Sequence, residues 1–268
     1  MAPAKTLLFC ALLSLLVLIL PSPSAANEGN IFLTGNELLP DEQLSVPRAA
    51  LVMQKDCNLV LYNEGSGFQS GTSGRATNCT LTLSERGQLI IKKGNGGVVW
   101  YSPVTGKLGG YAAILRPDGH VSIYGPSRWI SVAPYPIGFF KGQNKSHEAA
   151  PGEDQLGTSQ SVPNLLFSSQ VLERLASRDY SFALTESCNL EFTKASKGNL
   201  WASGTAGEGR RHCFARLNYF GQLTVVDDRY NVLWNSSPAG VEGEYVLAVQ
   251  INGIAAIYGP AIWSTASS

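Results

Sequence analysis

The stretch Gln54-Lys55-Asp56-Cys57-Asn58-Leu59-Val60-Leu61-Tyr62 carries two patterns at once. Gln54, Asp56, Asn58, Val60 and Tyr62 fall two apart and share one face of an extended backbone, while Met53, Leu59 and Leu61 point to the other. One face is a polar row and the other is core. Two amides, a carboxylate and a phenol offer donors and acceptors with little net charge, and Val60 places an apolar side chain among them. Such a row suits a neutral polyhydroxylated ligand. Asp56 and Asn58 would hold sugar hydroxyls in pairs, Gln54 and Tyr62 would reach others, and Val60 would cover the C–H surface of the ring.

Working outward, the chain repeats itself. Asn30 and Asn164, Cys79 and Cys213, Trp100 and Trp234, Tyr111 and Tyr245, Tyr124 and Tyr258, and Trp129 and Trp263 are each separated by 134 positions, which marks a tandem duplication. Within each half runs a finer period of about 30 residues, the mark of a stacked or radial architecture. Asn58, Gln88 and His120 occupy equivalent places; Phe68, Trp100 and Trp129 follow them, and Trp201, Trp234 and Trp263 follow in the second half. Short strands such as Ala50–Met53, Leu59–Tyr62, Gln88–Lys92, Ala112–Leu115 and Val121–Tyr124 lie between, with Asp56-Cys57, Arg86-Gly87, Asp118-Gly119 and Asn252-Gly253 suggesting two-residue hairpin turns. Helical periodicity is scarce. The prediction is all-β: two domains, each of three small antiparallel sheets about a pseudo-threefold axis, with one aromatic from each sheet meeting at the centre.

Domain limits follow. Lys5 precedes an apolar run from Leu7 to Leu20, which reads as a signal peptide over residues 1–26, with Ser24, Ala25 and Ala26 offering small side chains for cleavage before Asn27. Residues 27–133 and 164–268 are the two domains, and 134–163, rich in Gly, Ser, Pro, Gln and charge, reads as an exposed linker open to processing. No later segment is apolar enough to span a membrane and the sequence ends at Ser268 without a lipid-anchor pattern, so a soluble product of the secretory route, extracellular or vacuolar, is expected. With Cys10 in the leader, Cys57, Cys79, Cys188 and Cys213 remain; an even count in an oxidising compartment predicts disulfides. Sequence alone permits three connectivities for four cysteines. The repeat favours Cys57–Cys79 and Cys188–Cys213.

Lysine plus arginine and aspartate plus glutamate each number 20, which leaves no electrostatic footprint for nucleic acid or an anionic membrane. The histidines are scattered and none sits in a nucleophile motif, so no catalytic residue is assigned. Asp56 and Asn58 bring too few oxygens for a hard cation, so no metal or other cofactor is expected. Asn144, in the linker, and Asn235 head glycan-acceptor triplets; Asn78 does too but adjoins a disulfide cysteine.

These residues together match a known family. The chain resembles the monocot mannose-binding, or bulb-type, lectins, whose hallmark QxDxNxVxY is met at Gln54, Asp56, Asn58, Val60 and Tyr62. The resemblance extends over both halves, through the cysteine pairs, the aromatic triplets and the IYG endings at Ile123–Gly125 and Ile257–Gly259. It implies a β-prism II fold in each half, up to three mannose sites per domain, and exchange of C-terminal strands, so that the segments near Trp129 and Trp263 pack on a partner domain. Mannose-containing glycans would be the ligands, and homo- or hetero-oligomers would form by domain pairing.

The other rows depart from the pattern. Ser84, Arg86, Gln88, Ile90 and Lys92 in the second repeat have lost the carboxylate and the phenol. Arg116, Asp118, His120, Ser122 and Tyr124 keep Asp118 and Tyr124, a candidate weak secondary site. In the second domain Thr185, Ser187, Asn189, Glu191 and Thr193 keep Asn189, and Asn218, Phe220, Gln222, Thr224 and Val226 keep none. Gln250, Asn252, Ile254, Ala256 and Tyr258 keep Gln250 and Tyr258, with Asn252 close to Asp, a second candidate. The expected function is a secreted, metal-independent lectin acting mainly through one intact row, in defence or storage. The competing reading is an interaction or storage protein with vestigial sugar binding.

Overall fold

A computed structural model of the chain describes residues 29–65, 67–131, 164–207 and 212–267. The expected leader, the linker and Asn144 lie outside the described residues. Within them the chain forms six four-stranded antiparallel sheets and a single 3-10 turn at Thr265–Ser267. In the first domain one sheet joins Gln43–Val46, Ala49–Met53, Leu59–Tyr62 and Phe68–Gln69, and the next joins Glu37–Leu38, Thr80–Leu83, Leu89–Lys92 and Val98–Tyr101. Burial alternates along Ala49–Met53 and Leu59–Tyr62, as one core face and one outer face require. The second domain repeats the plan.

The third sheet of each domain is completed by the other half of the chain. Ile31–Leu33, Ala112–Leu115 and Val121–Tyr124 take Ala261–Ser264 as their fourth strand, and Leu165–Phe167, Val246–Val249 and Ala255–Tyr258 take Ser127–Ile130. Trp263 therefore leaves its own domain. It lies 5.8 Å from Phe68, which in turn lies 6.0 Å from Trp100. Trp129 makes the reverse journey, to 5.2 Å from Trp201 and 6.0 Å from Trp234. The central aromatic triplets are thus each completed by the opposite half, as strand exchange implies. Edge-to-face pairs of this kind contribute about 0.5–1.5 kcal/mol beyond area burial, so the exchange ties both cores together.

The two exchanged sheets also pack on each other. Ala113, Leu115, Val121 and Ile123 face the first core, while Ala112, Ile114 and Tyr124 turn the other way to meet Leu165, Val246, Ala248, Ala256 and Tyr258. All residues of Ala112–Leu115, Val121–Tyr124, Val246–Val249 and Ala255–Tyr258 are buried. A sheet covered on both faces has no outer polar row to display.

The hairpins differ from the two-residue turns read from the sequence. Met53 pairs with Leu59, Gln54 N–H donates to Asn58 O at 2.9 Å and Cys57 N–H to Gln54 O at 3.0 Å, so the loop is Lys55-Asp56-Cys57. Its last residue sits at positive φ, +71° for Cys57, and Gly87, Gly119, Cys188, Gly221 and Gly253 take the same place in the other five hairpins. This is a three-residue loop ending in a left-handed residue. Glycine adopts that conformation freely; where cysteine replaces it, the side chain enters a disulfide, Cys57–Cys79 or Cys188–Cys213. The glycine of each IYG ending has a packing reason. A Cβ on Gly125 or Gly259 would lie 2.4 or 2.5 Å from the ring of Tyr111 or Tyr245.

Candidate functional site

The first row lies open to solvent. Gln54 and Val60 are half-buried, Asp56 is exposed, and Tyr62 is 52% exposed, all on the outer face of the Gln54–Tyr62 hairpin. Gln54 Nε2 donates to the Tyr62 hydroxyl at 2.8 Å, which joins the two ends of the row across the strands. Asp56 Oδ1 accepts the N–H of Asn58 at 3.0 Å, the local bond that a turn aspartate makes, while Oδ2 accepts from Ser73 Oγ. The Ser73 hydroxyl, and after it the Asn58 N–H, hold the Asp56 carboxyl below its ordinary range. Asp56 is therefore ionised at neutral pH, with its oxygens aimed by two donors.

Asn58 is the fixed point. Its Oδ1 accepts from Ser70 Oγ at 3.0 Å and from the Thr72 N–H at 3.2 Å. A backbone N–H can only donate, so the carbonyl oxygen must face inward and the NH₂ must face the row. Thr72 Oγ1 donates to Cys57 O at 2.6 Å and Ser70 Oγ lies 2.6 Å from Thr72 Oγ1, while Leu59 N–H donates to Ser70 Oγ at 3.0 Å. Ser70 and Thr72 thus form a cradle on Asn58 that the polar row alone did not disclose. Its signal in the sequence is Ser-Gly-Thr at 70–72 recurring at 203–205.

That recurrence has structural meaning. Asn189 Oδ1 accepts from Ser203 Oγ at 3.3 Å, Gly204 N–H at 3.1 Å and Thr205 N–H at 3.2 Å, and Thr205 Oγ1 donates to Cys188 O. The cradle is the same; the row is not. Asn189 Nδ2 is drawn to Glu191 Oε1 at 2.8 Å, and Thr185 and Ser187 bond to each other at 3.0 Å.

In the middle rows the first residue serves the turn. Ser84 Oγ accepts the N–H groups of Arg86 and Gln88, and Asn218 Oδ1 those of Phe220 and Gln222. Gln88 and Gln222 turn their amides to Ser102 O and Ser237 O.

The third rows run into the interdomain contact. Tyr258 and Gln250 are 1% and 4% exposed and bond to each other at 2.8 Å, with Asn252 Nδ2 on Gln250 Oε1 at 3.1 Å. The Gln–Tyr pair of the first row is reproduced here beneath the opposite domain, away from any ligand. Tyr124 is likewise buried, its hydroxyl between Arg116 Nη1 at 2.8 Å and Glu244 Oε2 at 3.2 Å, and burial pushes its phenol pKa up. Of the two candidate secondary rows, Asp118 and Asn252 remain toward the surface as turn residues, each accepting the N–H two residues on. Asn235 is exposed at the end of Val232–Asn235. Among the described residues no cluster of three His, Cys, Asp or Glu is placed to hold a metal, and no helix is long and apolar enough to cross a membrane.

Comparison with known proteins gives a consistent answer. No family model matches the chain. It is 48% identical over 272 residues to mannose-specific lectin 2 of Crocus vernus, covering 99% of this chain and 98% of that protein. It is 40% identical over 270 residues to mannose-specific lectin 2 of Colocasia esculenta, covering 98% and 95%. Among solved structures it resembles the fetuin-binding agglutinin of Scilla campanulata, described as a two-domain lectin, with a TM-score of 0.70, 27% identity, and coverage of 88% of this chain and 100% of that one. These relatives are lectins, not enzymes.

Proposed function

Because the chain belongs to the monocot mannose-specific lectins, we propose that it binds mannose-type glycans through Gln54, Asp56, Asn58, Val60 and Tyr62. One observation carries the reading: the cradle on Asn58 Oδ1 fixes its NH₂ toward the same face as the Asp56 carboxylate. A donor and an ionised acceptor side by side match two neighbouring sugar hydroxyls, each of which both donates and accepts. The Gln54–Tyr62 pair offers further polar atoms, and Val60 faces the ring carbons. An epimer with one hydroxyl reversed leaves a group of the site unpaired, at a cost of about 1–3 kcal/mol.

A shallow row of this kind holds a single sugar at about the millimolar scale, near −4 kcal/mol. Avidity then comes from several rows held together, since linkage raises effective concentration without new contacts. With one complete row per chain, association of chains is part of the proposal, as are secretion through the leader at 1–26 and a role in defence or storage. Binding is metal-independent in this reading, so chelation leaves it unchanged.

A glycan array tests it. Selective capture of mannose-rich glycans by the wild type, lost in Asp56→Ala with folding intact, supports the lectin. An array with no glycan selectivity overturns it and leaves an interaction or storage protein.

A further inference from the structure

The middle sheet of the second domain joins Val171–Leu172, Phe214–Leu217, Leu223–Val226 and Val232–Asn235, and its counterpart in the first domain lies 134 positions earlier. The two keep one backbone at the hairpin tip. Gly240 N–H donates to Phe220 O at 2.8 Å and Gly243 N–H to Tyr219 O at 2.9 Å, as Gly106 N–H does to Arg86 O at 2.7 Å and Gly109 N–H to Glu85 O at 2.9 Å. The side chains differ. Glu37, Glu85, Arg86, Lys92 and Lys107 of the first domain correspond to Val171, Tyr219, Phe220, Val226 and Val241 of the second, so five charges give way to apolar groups. All but Val226 are exposed. Val226 pairs with Phe214 and Val232 across the strands, and Val232 is exposed too.

Tyr230, in the turn at the far end of the same sheet, is 79% exposed and held at φ +63°, where the first domain has Gly96 at +85°. Glycine takes that conformation freely, and a bulky residue is strained in it. The Tyr230 ring meets Phe214 edge-on at 6.1 Å, yet most of it stays in water. Strain kept in an exposed aromatic points to a role outside the fold. The charges bordering the face have both signs, Arg216, Arg229 and His212 against Glu173, Asp227 and Asp228, so it favours neither a polyanion nor a charged lipid surface. The first domain offers no matching apolar face, since its exposed Val98 pairs with Lys92 and its exposed Tyr101 lies in line with Glu37. With strands about 4.8 Å apart and about 3.3 Å per residue, the face and its two turns measure roughly 20 by 25 Å, which with side-chain relief approaches the roughly 800 Å² per partner of a stable dimer. We propose that this face docks on the same face of a second copy, an isologous contact that closes the assembly at two chains. The dimer carries two first rows, the association that the lectin reading calls for, and its formation does not depend on mannose binding.

Sedimentation velocity at neutral pH and tens of micromolar chain tests this on the wild type, on Tyr230→Gly, on Phe220→Arg with Tyr230→Gly, and on Tyr101→Asn. Each substitution installs the residue type found at the duplicate position, Gly96, Arg86 or Asn235, so the fold already accommodates it, and thermal unfolding checks that each variant is folded. The wild type sediments as a dimer. The double variant dissociates at least about thirtyfold more readily, the scale of losing buried aromatic anchors. Tyr230→Gly alone, which relieves the strained backbone, moves the equilibrium the same way, while Tyr101→Asn, on the first domain's sheet, leaves the dimer intact. A monomeric wild type, a dimer unmoved by the double variant, or one weakened as much by Tyr101→Asn each overturns the proposal. Calorimetry with methyl α-mannoside reports separately on the first row: binding per chain is the same in the wild type and the double variant, and if the mannoside does not bind at all the lectin reading fails while the docking face stands.

Discussion

Two hairpins of this chain, Gln54–Tyr62 and Thr185–Thr193, share a frame and differ in what they display. Each turns through a left-handed cysteine tied by a disulfide. Each buries an asparagine whose carbonyl oxygen is held by a Ser-Gly-Thr segment. In the first, Asp56 is aimed by Ser73; in the second, Ser187 stands in place of the carboxylate and Ala206 in place of the serine that would aim it. The asparagine and its Ser-Gly-Thr cradle are therefore common to both hairpins, and Gln54, Asp56 and Tyr62 together with Ser73 are what distinguish the first. A matched asparagine alone is no evidence of a site.

The largest test of this difference is Asp56→Ala against Ser187→Ala. Hydrogen bonds to a charged group contribute about 1.5–3 kcal/mol, so mannoside affinity falls at least about tenfold in the first and stays unchanged in the second by calorimetry. Equal effects would erase the distinction. Next come Asn58→Ala and Asn189→Ala, which leave the Thr72 or Thr205 N–H without its partner. Both lower stability by about 1–3 kcal/mol in chemical unfolding, and a loss in one domain alone would show that the cradle is not common hardware. Smaller is the gain from transplanting the row. Thr185→Gln, Ser187→Asp, Glu191→Val, Thr193→Tyr and Ala206→Ser together double the mannoside stoichiometry, and an unchanged stoichiometry means the frame also differs.

The smallest effect is on pH dependence. The Ser73 hydroxyl and the Asn58 N–H hold the Asp56 carboxyl below the ordinary carboxylate range, so it stays ionised through that range and the proposed binding is lost only as the pH falls below it. Ser73→Ala removes the first of the two donors. The acid limb of the binding curve then moves up toward the ordinary carboxylate range, with little change at neutral pH. A limb that does not move would remove Ser73 from the account.

Much of this was legible in residues alone. Period-two alternation named the strands and the row, because a strand with one buried face must alternate. The duplication paired the cysteines and grouped the aromatics, because equivalent positions have equivalent neighbours. The turn type was misread at Asp56-Cys57 because a left-handed cysteine is unusual, and only its disulfide and hydrogen bonds show why it is there. The cradle was hidden because Asn58 and Thr72 are 14 residues apart and meet only across the sheet.

The fate of the third rows shows where local reading ends. Gln250 and Tyr258 match the pattern and form the same bond as Gln54 and Tyr62, yet they lie beneath the opposite domain. The run of apolar residues on both faces of Val246–Val249 was the available sign. By itself the sequence determined the sheets, the repeat and the chemistry of the first row, since these follow from spacing and side-chain type. Only the tertiary structure decided which rows face solvent and which halves share a core, because burial is set by contacts between segments such as Tyr124 and Glu244, 120 residues apart.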